Sequence, residues 1–192
     1  MSLERNVSII QDVDGNNIVM INDIIFKRKQ SIRWDEVEEY LGKYVGEFYT
    51  IADTSEIVYI GKDLPDEYAH SDYTSILKGA NAKAKANATQ GIPEMVEIAT
   101  RKQFVVNKKP KHQKDAKYGW YKYESRFALP VFREDGEVER FNVFRVAMII
   151  RHGEDDKKYL YDVINVKKET SNLFQSEDLT QSKNPFLTYD NN

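Results

Sequence analysis

The chain has no cysteine among its 192 residues. That absence excludes a disulfide scaffold, a thiolate metal centre and a cysteine nucleophile together. No stretch approaches the roughly 20 apolar residues that a membrane-spanning helix needs. The opening MSLERNVSIIQDVDG also lacks the apolar core of a secretory signal. The expectation is a soluble, cytoplasmic protein with no membrane partner. Gly-rich phosphate loops, dinucleotide fingerprints, GxSxG, HExxH and kinase signatures are missing as well. ATP-driven, dehydrogenase and serine-hydrolase chemistry therefore falls away, and no cofactor is expected. His70 follows Asp66 and Glu67 in LPDEYAHS, but one histidine beside flexible carboxylates lacks the ligand spacing of a metal centre, so no metal is expected either.

What is present is enough apolar material, 41% hydrophobic and 12% aromatic, to build the core of one domain. Asp14-Gly15 between VSIIQDV and IVMINDIIF predicts a β-hairpin within residues 1–30, because glycine adopts positive φ at little cost. Ser31 is placed to cap a helix carrying Trp34, Val37, Tyr40 and Leu41 on one face, with Asp35 and Glu36 at the positive end of its dipole. Short strands follow at 47–51 and 56–60. Tyr73, Ile76, Leu77, Ala80 and Ala84 mark one helix face, and Pro93 suits the first turn of another helix.

Strand patterns then run over 118–124, 126–133, 138–151 and 159–167, joined by short turns that predict an antiparallel meander. In the longest, Phe144, Val146, Met148 and Ile150 alternate with Val143, Ala147 and Ile149, so both faces should be covered. The predicted fold is α+β: helices packed on a four-stranded antiparallel meander, with the N-terminal hairpin and helix ahead of it. The main domain spans 31–170, and 171–192 reads as an extended or disordered tail.

The net charge of −3 hides an asymmetry. Residues 101–126 hold nine Lys/Arg and two Asp/Glu, a local +7, which leaves the remainder at −10. Each cation near a phosphate releases counterions, and exposed rings stack on bases. Lys108, Lys109, Lys111, Lys114, Lys117, Trp120 and Lys122 are thus candidate nucleic-acid contacts. The alternative is a solvated lysine loop followed by a strand whose rings belong to the core, since alternation sends half of them inward.

Within the same island, the cations around His112 lower the pKa of an imidazole and favour a neutral base. Metal-independent RNA cleavage needs a base for the 2′-hydroxyl, a proton donor for the leaving oxygen and cations for the phosphorane. His112, Lys114, Arg126, Arg145 and Tyr161 are the residue types that supply those roles. Arg145 interrupts an apolar strand face, so it either pairs with a carboxylate such as Asp162 or faces a ligand.

Several blocks carry a wider likeness: INDIIFKRKQSIRWDEVEEYLGKYVGEFY, IVYIGKDLPDEYAHS, LKGANAKAKANATQGIPEMVEIAT, KHQKDAKYGWYKYESRFALPVF and FNVFRVAMIIRHGEDDKKYLYDVINVKKETS. Over residues 18–172 the chain resembles domains of phage and integrative-conjugative-element proteins of Firmicutes, found alone or inside very large polyvalent proteins. Its later half is similar to the barnase, EndoU, colicin E5/D and RelE-like ribonuclease group. That resemblance implies a metal-independent endoribonuclease or toxin, with His112 and Arg126 or Arg145 at the group's His and Arg positions and Tyr161 on the last strand. It equally admits a non-catalytic accessory domain. The partners it implies are RNA, a host protein or a cognate immunity protein.

Overall fold

The computed structural model describes residues 5–27, 31–105, 116–169 and 174–175. Its strands are β1 (Val7–Gln11), β2 (Asn17–Ile21), β3 (Phe48–Thr50), β4 (Ile57–Tyr59), β5 (Thr100–Val105), β6 (Trp120–Phe132), β7 (Val138–His152), β8 (Lys158–Lys168) and β9 (Phe174–Gln175). Its helices are α1 (Trp34–Leu41), α2 (Leu64–His70), α3 (Asp72–Ile76), α4 (Gly79–Ala88) and α5 (Ile92–Glu97).

The expected four-stranded antiparallel meander is replaced by one nine-stranded mixed sheet. Its order is β1-β2-β6-β7-β8-β4-β3, with β5 added on β6 and β9 on β7. β6, β7 and β8 do form an antiparallel core. The two strands expected over 118–133 are however one, because Ser125 continues the strand and donates its buried hydroxyl to the Met95 carbonyl at 2.8 Å. The sheet then widens through two parallel pairings, β2 on β6 at Val19↔Phe127 and β4 on β8 at Tyr59↔Tyr159. Parallel pairs join distant segments and leave no turn signature between them. The N-terminal hairpin is therefore an integral part of the sheet. β5 escapes a pattern search because all six of its residues are exposed, so it needs no apolar alternation.

Helical segmentation also differs from the sequence expectation. The face drawn through Tyr73 to Ala84 is cut where Leu77 and Lys78 turn extended and Gly79 takes φ +59°. α1 begins after Arg33 with no side-chain cap, so Ser31 does not serve as one. α2 carries the proline in its first turn that usually marks a helix start.

α4 lies at the centre. Ala82, Ala84, Ala86 and Ala88 are buried, and so are Lys85 and Asn87 between them. Small side chains let a helix be enclosed on all sides, and its polar groups must then find partners. Asn87 Oδ1 accepts the amides of Ile25 and Phe26 at 2.9 and 3.1 Å, which docks the segment after β2. Lys85 Nζ donates to Asp162 Oδ1 at 2.7 Å and to Thr74 Oγ1 at 2.6 Å. It also lies 4.5 Å from the centre of the Tyr68 ring. Burial pushes the Lys85 ammonium below its ordinary range and the Asp162 carboxyl above its own, and each partner pulls the other back towards the charged form.

The main core joins these helices to Phe144, Val146, Met148 and Ile150 of β7. A smaller cluster of Ile10, Ile18, Met20, Ala128, Phe141 and Val143 covers the opposite face. No helix among the described residues is long and apolar enough to cross a membrane.

Removing one partner from a buried ion pair strands the other charge. Asp162→Ala should therefore lower the unfolding free energy by about 3–5 kcal/mol in urea titration. A loss within about 1 kcal/mol, typical of an ordinary single substitution, would show that the pair does not hold α4 in place.

Candidate nucleic-acid interface

The described candidates of the sequence reading fall into separate places. Arg126 and Arg145 are register partners across β6 and β7, so their side chains share a face. Arg126 is engaged by carboxylates. It donates from Nε and Nη2 to Glu169 at 2.8 and 2.9 Å, and from Nη1 to Asp12 at 2.8 Å. Arg145 is half-exposed and reaches the same Glu169 at 3.4 Å, with Glu124 4.0 Å away. Its partner is thus not Asp162, which is taken by Lys85. Arg126, Arg145, Asp12, Glu124 and Arg101 line a pocket of about 390 Å³ beside the β1–β2 turn.

Tyr161 packs edge-on against Trp120, centroids 4.8 Å apart. Trp120 is buried, which makes its ring part of the packing rather than a stacking surface. Lys122 lines a different pocket, with Tyr73, Arg145 and Lys167. Lys117 lies 5.6 Å from the Tyr118 ring centre. His112, Lys108, Lys109, Lys111 and Lys114 lie outside the described residues.

A second cluster forms where β5, β6, β7 and β8 meet at one end of the sheet. Phe104 and Tyr121 are register partners with centroids 5.6 Å apart. Tyr121 stands 6.1 Å from His152, and His152 stands 5.1 Å from Tyr118. The four rings form a continuous row whose ends, Phe104 at 61% and Tyr118 at 48%, are exposed. Gly119 makes the row possible. It holds φ +105°, and a Cβ there would stand 2.5 Å from Phe104 Cε2, so a side chain would drive that ring away. Two backbone bonds tie the row together: the Tyr118 amide to the His152 carbonyl at 3.1 Å, and the His152 amide to the Gly119 carbonyl at 3.0 Å.

Cations flank these rings. Lys102 Nζ lies 4.6 Å and Lys158 Nζ 5.1 Å from the Tyr121 centre, within cation–π range. Glu56 orients both. Its carboxylate pairs with Lys102, lies 3.1 Å from Lys158 Nζ and accepts the Tyr123 hydroxyl at 2.6 Å. Burial alone would raise the Glu56 carboxyl, but hydrogen bonds from Lys102, Tyr123 and Lys158 outweigh it and hold the group below its ordinary range. Burial, reinforced by Glu56, pushes the Tyr123 hydroxyl far above its own. One carboxylate shared by two ammoniums leaves this trio with net positive charge.

His152 Nε2 lies 2.7 Å from Asp156 Oδ1, and its Nδ1 is buried without a hydrogen-bond partner among the described residues. Val105 and Ala116, the described residues that bracket the lysine-rich segment, belong to the same corner. Val105 pairs with Trp120 in register, and the Ala116 carbonyl accepts the Gly119 amide.

Sequence reasoning located the basic island but not this constellation. Phe104 and Lys102 sit two apart on an unrecognised strand, so both project to one side. His152 reads as a loop residue until β7 is seen to extend through it. Glu56 and Lys158 meet through the β4–β8 pairing, for which no local signal exists.

Two carboxylates, Asp12 beside Arg126 and Glu56 at the aromatic corner, give the protein a pH signature. Hydrogen bonds from Arg126 and from the Asn16 and Asp14 amides outweigh burial and hold the Asp12 carboxyl below its ordinary 3.8. Glu56 is likewise held below 4.5. A depressed native value contributes stability above the unfolded pKa, and that stability is lost as pH falls through the native one. Wild type should therefore be more stable than Asp12→Asn at neutral pH, and the gap should close below about pH 4. A gap independent of pH in thermal melts would contradict the Asp12–Arg126 assignment.

No protein-family model matches the chain, and no curated protein matches it either, so what this corner does has to come from its own chemistry.

Proposed function

We propose that the chain binds single-stranded nucleic acid at this end of the sheet. The observation that carries the reading is the unbroken row Phe104–Tyr121–His152–Tyr118, flanked by Lys102, Lys117 and Lys158. Every base has a π-face, so exposed rings at the two ends of such a row accept bases without regard to sequence. The lysines meet the backbone phosphates. The setting proposed is the cytoplasm.

Arg126 is a weaker anchor for a phosphate, because two carboxylates already occupy its donors and a ligand would have to displace them. A second reading, metal-independent RNA cleavage, is favoured by one arrangement. An imidazole, His152, borders Tyr121 and is the register partner of Lys158, and a carboxylate, Glu56, pairs with that lysine. Those groups are the types that proton transfer in 2′-hydroxyl attack requires.

Binding is measured by fluorescence anisotropy with oligouridylate and oligothymidylate. Loss of a stacking ring costs about 1–3 kcal/mol per base, so Phe104→Ala and Tyr118→Ala should each weaken binding by about 5- to 150-fold. Lys102→Ala should make the salt dependence shallower by a slope of about 0.7. Unchanged affinity in the Phe104→Ala/Tyr118→Ala double variant, at an unchanged melting temperature, would overturn the reading. Cleavage of RNA but not DNA in EDTA, lost in His152→Ala, would add the catalytic reading. Loss in His112→Ala alone would return the imidazole's role to His112.

A further inference from the structure

We propose that Asp35, Glu38 and His70 form a binding site for one divalent transition-metal ion, with zinc the best fit, which fastens α1 to α2. The site shares no residue with the aromatic corner and does not rest on the nucleic-acid reading.

Asp35 and Glu38 are three residues apart on α1, so both carboxylates project from one face. His70 is the last residue of α2. Packing of the two helices brings its Nε2 to 2.8 Å from Glu38 Oε2 and 3.3 Å from Asp35 Oδ1. The three donor atoms lie within 4.8 Å of one another. Ligands of a tetrahedral zinc at about 2.0–2.2 Å are roughly 3.3–3.6 Å apart, so the His70–Asp35 separation already fits and small rotamer adjustments would open the His70–Glu38 contact and close the two carboxylates to that spacing.

The imidazole is what separates this group from an ordinary acidic patch. Two carboxylates converge on a single ring nitrogen, which carries at most one proton and can donate it fully to only one of them. A dication satisfies all three groups at once. The surroundings favour a cation too. α1 has Asp35 and Glu36 in its first turn and no basic residue in its last, and α2 adds Asp66 and Glu67. One imidazole with two carboxylates suits zinc and its neighbours better than magnesium or calcium, which prefer all-oxygen shells. The Asp35 side chain is 94% exposed and those of Glu38 and His70 are 39% exposed, so water can fill the remaining position.

The test is calorimetric titration of zinc chloride into the full chain, stripped of metal beforehand in a non-chelating buffer. The expected result is one ion per chain with a Kd on the order of 10 µM. His70→Ala and Glu38→Gln should each weaken it by at least about tenfold. Zinc should also raise the melting temperature of the wild type but not of either variant. Both positions are on the surface, so metal-free variants should melt as wild type does. Binding of equal strength in the variants, more than one ion per chain, or no binding below millimolar zinc would overturn the proposal.

Discussion

The structure depends most on one buried ion pair, Lys85 with Asp162. A helix built largely of alanine can be surrounded on every side, but the lysine within it cannot be left unpaired there. Asp162 reaches Lys85 from β8, beside a bulge that lets Tyr161 enter as an extra residue between the partners of Ile149 and Ile150. Thr74 and Tyr68 complete the shell: the Thr74 hydroxyl donates to the Tyr68 carbonyl at 2.7 Å, and the Tyr68 hydroxyl donates to the Lys85 carbonyl at 2.6 Å. The pair thereby joins α2, α3 and α4 to the sheet. Breaking it would loosen the enclosure of α4 as a whole.

The aromatic corner follows from how far that enclosure extends. Helices cover the inner face of β6 at Tyr123, Phe127 and Leu129, whereas Tyr121, nearer the start of the strand, is only partly covered. There the face is finished by Glu56, Lys102 and Lys158 instead of apolar side chains. Cations held over rings by one shared carboxylate are an arrangement that core packing does not require. The Arg126 cluster differs in kind. Its donors are taken by Asp12 and Glu169, and it clamps the hairpin turn to the end of β8. Arg126 is thus held by two carboxylates, whereas Lys102 and Lys158 share one.

What could be read from the sequence was whatever a local pattern encodes. The Asp-Gly turn, the α1 face, the proline at the start of α5 and the two-faced apolar strand β7 were all legible. β5 was not, because an exposed edge strand carries no alternation. The parallel pairs were not, because the partners are far apart and no turn joins them. The site was half legible. Charge counting found the basic island, but which rings face outward depends on register. Trp120 turns into packing against Tyr161, while Phe104 and Tyr118 remain exposed. In sequence His70 stands beside Asp66 and Glu67, whereas the carboxylates that reach it, Asp35 and Glu38, come from a different helix.

Photo-crosslinking of 4-thiouridine-substituted oligouridylate, followed by mass spectrometry of the linked peptides, tests the central claim most directly. It reports which side chains lie against the bases, whatever the affinity. The expected crosslinks are to Phe104, Tyr118 and Tyr121, reduced by competitor single strand and by raised salt. Crosslinks confined to the Arg126 pocket or to the α1 surface, with none in the aromatic row, would contradict the account.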